Sequence, residues 1–116
     1  MSVEAYARTR NLVETPRQTE ARLMDDIVAE LTEARDTGLT GAALMPALHR
    51  NREIWATFAS DCGAAGNGLP AELRASIISL ALWVDRYTSD VARGREDINA
   101  LIDVNRSMMA GLSDKP

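Results

Sequence analysis

The fold class is clearest in LRASIISLALWVDRYTSDV, residues 73–91. Its apolar side chains recur three and four residues apart, the period of an α-helix with one face in a core, at Leu73, Ile77, Leu80, Val84, Tyr87 and Val91. Four more apolar residues widen that face around most of the helix: Ile78, Ala81, Leu82 and Trp83. Such a helix is either central in its fold or leaves apolar surface for a partner.

The same period runs through most of the chain, and no segment alternates like a half-buried strand. This predicts an all-α fold, a compact helical bundle of one domain. Four main helices are expected at about residues 16–37, 41–62, 70–93 and 95–110. A short helix at about 3–14 and a loose tail at 111–116 complete the prediction.

Residues typical of helix ends support these boundaries. Thr15 and Pro16 form an N-cap followed by a proline at the first helical position. Gly38 and Gly94 suit left-handed C-terminal caps, and Gly38 is followed by the apolar Leu39 that often accompanies such a cap. We therefore expect helices to begin at Pro16 and to end before each glycine.

The second and fourth main helices have less certain starts. Thr40 is a candidate cap for the second, but Pro46 lacks the N–H of a helix interior, which predicts a kink or a start near Met45. Glu96 and Asp97 are expected in the first turn of the fourth, where the helix dipole favours acidic residues.

Composition excludes several classes of protein. The 116 residues carry a net charge of −4, so binding to RNA or to anionic lipid would need a local basic surface that departs from this overall acidity. No apolar run approaches the roughly 20 residues of a membrane span, and the N-terminus lacks the pattern of a signal peptide. With one cysteine, Cys62, the sequence predicts a cytoplasmic protein without membrane insertion.

Residues that could perform catalysis are sparse. His49 is the one histidine and lies a helical turn from Glu53, but a metal site needs further ligands. Cys62 falls on an apolar helix face, where a thiol is inert. The glycine-rich loop at 63–68 lacks the Lys-Ser/Thr of a phosphate-binding loop. We predict no enzyme, no metal or cofactor site and no small-molecule substrate.

Two asparagines interrupt apolar helix faces. Asn51 belongs to the face of Leu44, Leu48, Trp55, Phe58 and Cys62, and Asn105 to that of Ile98, Leu101, Met108 and Leu112. An arginine follows each asparagine, Arg52 and Arg106 respectively. Both amides either bridge helices inside the bundle or specify a partner, and the sequence leaves the two interpretations open.

Arginine and aromatic residues, the types enriched in interface hot spots and in single-stranded RNA recognition, offer candidate binding residues. Arg50, Arg52, Arg86 and Arg106 are expected to gather near the tryptophans and Tyr87. Core packing is the ordinary alternative for both tryptophans, although Trp83 lies off the main apolar face. The candidate partner-binding residues are Asn51, Arg52, Trp55, Trp83, Arg86, Tyr87, Asn105, Arg106 and Met109.

Four segments together carry a resemblance to a known family. They are ALHRNREIW (47–55), the loop end NGLP (67–70), IISLALWVDRYT (77–88) and LIDVNRSMM (101–109). In this order and spacing, with Ala5-Tyr6 and Thr15-Pro16-Arg17 before them, they resemble the flagellar biosynthesis regulator FlaF of alphaproteobacteria. The similarity covers nearly the whole chain.

The resemblance implies a cytoplasmic protein that promotes flagellin production and assembly. In this family's role it would bind flagellin as a secretion chaperone and oppose FlbT, the repressor of the flagellin messenger. Two alternatives remain open: direct binding to the flagellin messenger RNA, which the overall acidity disfavours, and an adaptor role through contact with FlbT. The family offers no catalytic residues to carry over.

Overall fold

The computed structural model describes residues 16–113, and within them it forms four α-helices and a short 3₁₀ helix without a strand. The α-helices are α1 (Pro16–Asp36), α2 (Met45–Gly63), α3 (Ala71–Ala92) and α4 (Asn99–Ser113), and the 3₁₀ helix (Gly41–Leu44) precedes α2. The all-α prediction is confirmed. The short helix predicted at 3–14 lies outside the described residues.

The helices form a ring in which each packs beside its neighbours in sequence and α4 returns to α1. The α2 and α3 helices approach one another most extensively, whereas α3 and α4 have the sparsest backbone approach of the neighbouring pairs. The ring therefore closes tightly on one side and loosely on the other, and α2 and α4 lie across the bundle from one another.

The core contains most of the apolar positions that helical period predicts; on α1 the exception is Leu23, which was expected on the core face and is 37% exposed. On α1 the core takes Met24, Ile27, Val28, Leu31 and Ala34; on α2 it takes every predicted position from Leu48 to Cys62. Fully burying one such large side chain stabilises a fold by about 1.5–3 kcal/mol. Two predicted face residues of α3 differ, because Leu73 is 45% exposed and Leu80 is 37% exposed.

Glycine ends two helices as predicted. After α1, the Leu39 N–H donates to the Ala34 carbonyl and the Gly38 N–H to that of Arg35, with Gly38 at φ 69°. The end of α3 repeats this pattern at Gly94, φ 74°. Such pairs of bonds satisfy carbonyls that the helix leaves unpaired, and only glycine adopts the required φ without strain.

Thr40, the acidic pair 96–97 and the tail need correction, whereas a start of α2 near Met45, one of the two alternatives, is confirmed. Thr40 makes no side-chain capping bond, and α2 begins at Met45 with Pro46 in its first turn, where no backbone donor is missed. Glu96 and Asp97 precede α4, and the Asp97 carboxylate accepts a bond from the Asn99 N–H. The tail predicted to be loose from residue 111 is helical through Ser113.

None of the helices in the described residues is long and apolar enough to cross a bilayer.

Candidate partner-binding site

Three predicted binding residues meet in the centre of the bundle. The Trp55 indole N–H donates to Asn105 Oδ1 at 2.8 Å, and Asn105 Nδ2 donates to Asn51 Oδ1 at 2.6 Å. Asn51 and Asn105 are 0% exposed and Trp55 is 1% exposed. This central trio links α2 to α4 across the ring, so these side chains bridge helices and offer no surface to a partner in this conformation.

The central trio is packed but not fully satisfied. Trp55 meets Phe58 edge to face, with ring centroids 5.5 Å apart. Asn51 Nδ2 is buried without a hydrogen-bond partner, a deficit that usually costs about 1–3 kcal/mol. The trio therefore specifies how α2 and α4 align at some expense of stability.

The predicted cluster of arginines does not form on α2. Arg50 Nη1 donates to Glu30 Oε1 on α1 at 2.9 Å. Arg52 Nη2 donates to the Asp85 carbonyl and to Ser89 Oγ, both on α3. The expectation was wrong for this pair because side chains two residues apart on a helix point to different neighbours.

Arg52 holds α2 against α3. Besides its two hydrogen bonds, its Nε lies 2.9 Å from Asp85 Oδ1; the N–H does not point at that oxygen, so the contact is an ion pair only. The Arg52 side chain is 35% exposed and that of Asp85 65%. Solvent screens a pair of this kind, which limits its contribution to about 1 kcal/mol.

Trp83 and Tyr87 form an aromatic pair on the outside of α3. Their rings stack with centroids 4.7 Å apart and planes 21° apart, and both side chains are half-buried. Tyr87 Oη donates to the Asp97 carbonyl at 2.8 Å. Burial, followed by the nearby charges of Glu96, Asp97 and Asp90, raises the pKa of the Tyr87 phenol. The bond to Asp97 also shows that this flank of α3 is turned towards α4.

Helical spacing places exposed leucines on that same flank. Leu73, Leu80 and Trp83 are related to Tyr87 by whole turns of α3, and Leu73 and Leu80 are among the most exposed large apolar side chains in the described residues. Exposed apolar side chains in a row along a helix mark a docking surface more often than scattered ones do.

The facing flank of α4 is also apolar. Arg35 Nη1 donates to Asn99 Oδ1, so the flank of α4 that carries Asn99, Ile102 and Met109 faces α1. Val104 and Met108 lie on the opposite flank, towards α3, and are half-buried against the core. We call the surface between these two flanks the α3–α4 groove; the residues that helical spacing and partial or full exposure assign to it are Leu73, Leu80, Trp83, Val104 and Met108.

A second apolar channel lies on the other side of α3. It is a hollow of about 200 Å³ with Ile78 and Leu82 on one wall and Ala56 and Ala59 on the other. Leu82, 57% exposed, is the most exposed large apolar side chain in the described residues. We call this channel the α2–α3 groove. The small alanines of α2 allow another helix to approach closely.

A larger hollow of about 470 Å³ opens at the end of the bundle. The 3₁₀ helix and the glycine-capped ends of α1 and α3 surround it. Its walls mix apolar side chains such as Leu39 and Leu44 with the charged Arg93, Glu96 and Asp97. This hollow therefore has more charged residues in its lining than the α2–α3 groove, where Arg52 and Asp85 are the charged pair.

The histidine and the thiol, the residue types considered for catalysis, lie apart. His49 Nε2 is 3.5 Å from Glu53 Oε2 on the solvent side of α2. Burial, more than the neighbouring charges, raises the pKa of the Cys62 thiol, which disfavours the reactive thiolate. Among residues 16–113 the structure gathers no three histidine, cysteine or acidic side chains in a position to hold a metal ion.

A comparison with protein-family models matches residues 2–112 to the family described as "Flagellar protein FlaF". The chain belongs to the FlaF family. The match spans nearly the whole chain, in agreement with the resemblance carried by its four segments. No curated protein and no solved structure matches it.

The structure sorts the predicted binding residues of this FlaF protein into three groups. The central trio is inside, and Arg52 is engaged between helices. Trp83 and Tyr87 lie half-buried beside the α3–α4 groove, and Met109 lies half-buried on the α1 flank of α4. Arg86 and Arg106 are exposed and make no ion pair within residues 16–113.

The sequence interpretation missed the leucines that open the grooves. Leu73 and Leu80 were assigned to the core face of their helix, and Leu82 was counted among the residues that widen that apolar face. A signal was present, because residues 75–84 contain no charge over nearly three helical turns. A helix packed on two neighbours cannot bury residues around its whole circumference, so some of them must face outwards.

Proposed function

We propose that this FlaF protein is a cytoplasmic chaperone that binds flagellin and promotes its synthesis and secretion in opposition to the translational repressor FlbT. Family membership supports a flagellar role, and the α3–α4 groove supports the binding of a helix. The observation that carries the proposal is the pair of exposed leucines, Leu73 and Leu80, in line with the half-buried Trp83 and beside the neighbouring helix pair with the sparsest backbone approach.

The groove suits the chemistry of an unassembled helical client. An amphipathic helix docks by laying apolar side chains, spaced three and four apart, into an apolar channel between two helices. Flagellin before secretion has apolar terminal helices that are not yet packed in a filament. Trp83 is a rigid aromatic anchor, and Met108 is an adaptable wall of the kind common in grooves that accept helices.

The charges support a protein partner more than RNA. Net charge is −4, and Arg50 and Arg52 are both engaged by acidic or polar groups on neighbouring helices. Exposed Arg86 lies one turn from Leu82 and three residues from Trp83 on α3, where it suits an acidic residue on the polar side of a bound helix.

The test measures binding of the purified protein to flagellin monomer, to the flagellin messenger leader and to FlbT, each at two salt concentrations. We expect flagellin to bind with weak salt dependence, because an apolar groove releases few counterions. A tight, salt-sensitive complex with RNA alone would contradict the proposal. Binding to FlbT alone would favour the adaptor role instead.

Variants locate the contact. Leu80→Glu and Trp83→Ala should weaken flagellin binding by about tenfold or more, as loss of an interface anchor does; Arg86→Ala should have a smaller effect. Leu23→Glu on α1 is the matched control, because Leu23 and Leu80 are both 37% exposed. Circular dichroism checks that each variant remains helical. Equal losses in Leu23→Glu and Leu80→Glu would place the site elsewhere.

A further inference from the structure

Helix α4 is held in place mainly by helices that are distant from it in sequence. It packs most extensively on α1 and only sparsely on α3, to which it is directly connected. Its side chains Leu101 and Ile102 are 0% exposed. Asn105 accepts the Trp55 N–H and donates to Asn51, both on α2. The position of α4 is therefore set mainly by α1 and α2, and less by its covalent neighbour.

The connection from α3 to α4 is exposed and depends on one glycine. Residues 93–97 are all exposed. The Gly94 N–H donates to the Val91 carbonyl and the Arg95 N–H to the Asp90 carbonyl, with Gly94 at φ 74°. An L side chain rarely adopts this φ, although a Cβ at Gly94 would meet no atom within 4 Å. A substitution there would strain the turn through backbone conformation alone.

The sequence of this connection is also compatible with a helix. Residues 71–113 contain no proline, so each of them has the N–H that a continuous helix uses. If Gly94 adopted a helical φ, α3 and α4 would join end to end. At about 1.5 Å per residue, α4 would then extend away from its own α1. Its site on α1 and α2 would be open to another α4.

We propose that two copies of this FlaF protein exchange α4, with residues 93–98 as the hinge. In the exchanged dimer, α4 of each copy lies against α1 and α2 of the other. Asn105 of one copy then completes the site that Asn51 and Trp55 form in the other. The partner is a second copy of this chain, and the inference does not depend on flagellin binding.

Exchange recovers the contacts that opening removes. Releasing α4 in a single chain would expose Leu101 and Ile102 and would leave the amides of Asn51 and Asn105 without each other. An α4 from a second copy brings identical side chains to the same positions, so the two forms differ chiefly at the hinge. Packing between α3 and α4, which flank the hinge, is sparse and does little to keep it closed. The state of the hinge therefore depends mainly on Gly94.

The first measurement is the monomer–dimer equilibrium of the full-length protein, refolded at increasing concentration and analysed by size-exclusion chromatography with light scattering. Gly94→Ala should raise the association constant by about tenfold or more, because alanine disfavours the positive φ of the closed hinge and favours a helix in both copies. Gly38→Ala is the matched control, since Gly38 ends α1 at φ 69° and its Cβ would also meet no atom within 4 Å. Equal gains in the two variants would contradict a hinge at Gly94.

Cross-linking shows which chain supplies α4. Arg35 Nη1 donates to Asn99 Oδ1 between α1 and α4, and both residues are exposed. In a Cys62→Ala background, one sample carries Arg35→Cys and another carries Asn99→Cys; the two are mixed, unfolded in urea and refolded together. A short bifunctional maleimide should join the two chains in the dimer fraction. Both substitutions in one chain are the positive control, because they show that the reagent spans the two sites.

The outcomes decide between exchange and ordinary association. Inter-chain cross-links in the dimer fraction, with a larger dimer fraction in Gly94→Ala than in Gly38→Ala, would support the exchange. A dimer without these cross-links would be an association of intact bundles and would overturn it. A protein that stays monomeric at millimolar concentration, with either residue at position 94, would overturn it as well. If Gly94→Ala does not fold, cross-linking of chains with the natural hinge still gives the answer.

Discussion

The centre of α2 and the middle of α3 carry similar residue types, but these residues differ in burial and in the contacts they make. Asn51 and Trp55 on α2 are buried inside the bundle and Arg52 is bonded between helices, whereas on α3 Trp83 and Tyr87 are half-buried and Arg86 is exposed. Each set combines an aromatic residue with an arginine, which composition alone marks as a binding site. The difference lies in position: α2 has a tightly packed neighbour on both flanks, and α3 has one on a single flank.

A polar or aromatic residue on a helix face acquires its role from the neighbouring helix. Asn51 meets Asn105 because α4 lies across the ring at the same height. Nothing comparable covers Leu80 among the described residues, since α3 and α4 approach each other least. Stability should therefore depend on the α2 set, and partner binding on the α3 set.

The largest expected effect is the loss of stability in Trp55→Ala. Removing a buried aromatic side chain leaves a cavity and should lower the free energy of unfolding by about 3–5 kcal/mol. It also removes the donor to Asn105 Oδ1. Urea unfolding followed by circular dichroism measures the change. Trp83→Ala is the corresponding substitution on α3; it should lower the free energy of unfolding by about 1 kcal/mol and act mainly on binding. Similar losses of stability in the two variants would contradict the assignment of stability to the α2 residues and binding to the α3 residues.

The next effect concerns the two asparagines. Asn105→Ala leaves the Trp55 N–H and Asn51 Oδ1 without partners and should destabilise the fold by about 2–3 kcal/mol. Asn51→Ala removes the unpaired Nδ2 along with one acceptor, so its cost should be smaller. The double variant should be less destabilised than the sum of the single ones, with a coupling of about 0.5–3 kcal/mol. If the losses of stability in the two single variants added up to that of the double variant, the hydrogen bond between the two amides would contribute nothing to stability.

Much of the fold was predictable because its signals are local. Helical period located all four main helices, and glycine chemistry located the ends of α1 and α3. Thr40 was wrongly expected to cap α2, because a threonine is recognisable as an N-cap only when the start of the helix is known. Pro46 favoured a later start, and α2 begins at Met45. Residues 111–113 were predicted to be a loose tail but are helical. Glycine often ends a helix, and the sequence does not show how α4 packs beyond Gly111.

The site was less predictable because it depends on which helices are neighbours. The sequence shows that Asn51 and Asn105 are both on apolar faces, but their meeting requires α2 and α4 to lie across the ring. Likewise Arg50 and Arg52 are close in sequence and reach α1 and α3 respectively. The surplus of apolar residues on α3 was visible; which of them face outwards was not.

A smaller effect should follow from Arg52→Gln. Glutamine keeps an amide donor near Ser89 but removes the charge opposite Asp85, so the α2–α3 pair should lose about 1 kcal/mol, and less in high salt. The matched control is Arg50→Gln, which breaks the ion pair with Glu30 between α1 and α2. Urea unfolding at two salt concentrations measures both. A loss in Arg52→Gln that is independent of salt would assign its role to packing of the side-chain stem.

The smallest effect is a pH dependence that originates at the edge of the α3–α4 groove. The pKa of Tyr87 is raised in the folded protein, chiefly by burial and then by three nearby carboxylates. Folding therefore favours the protonated phenol, whose Oη donates to the Asp97 carbonyl. The resulting stability is fully present below the ordinary tyrosine pKa of about 10 and is lost as pH rises through the higher folded-state value.

Tyr87→Phe separates this effect from general alkaline unfolding. The variant lacks both the bond to Asp97 and the ionisable group, so it should be slightly less stable at neutral pH and should lose less stability above pH of about 10. Tyr6 lies outside the described residues and remains in both proteins as an internal reference for tyrosinate absorbance. Parallel stability curves for wild type and Tyr87→Phe across that range would show that ionisation of Tyr87 is not coupled to the packing of α3 against α4. A diverging pair would instead identify Tyr87 as the contact that holds the loose side of the ring at the end of the groove nearest Asp97.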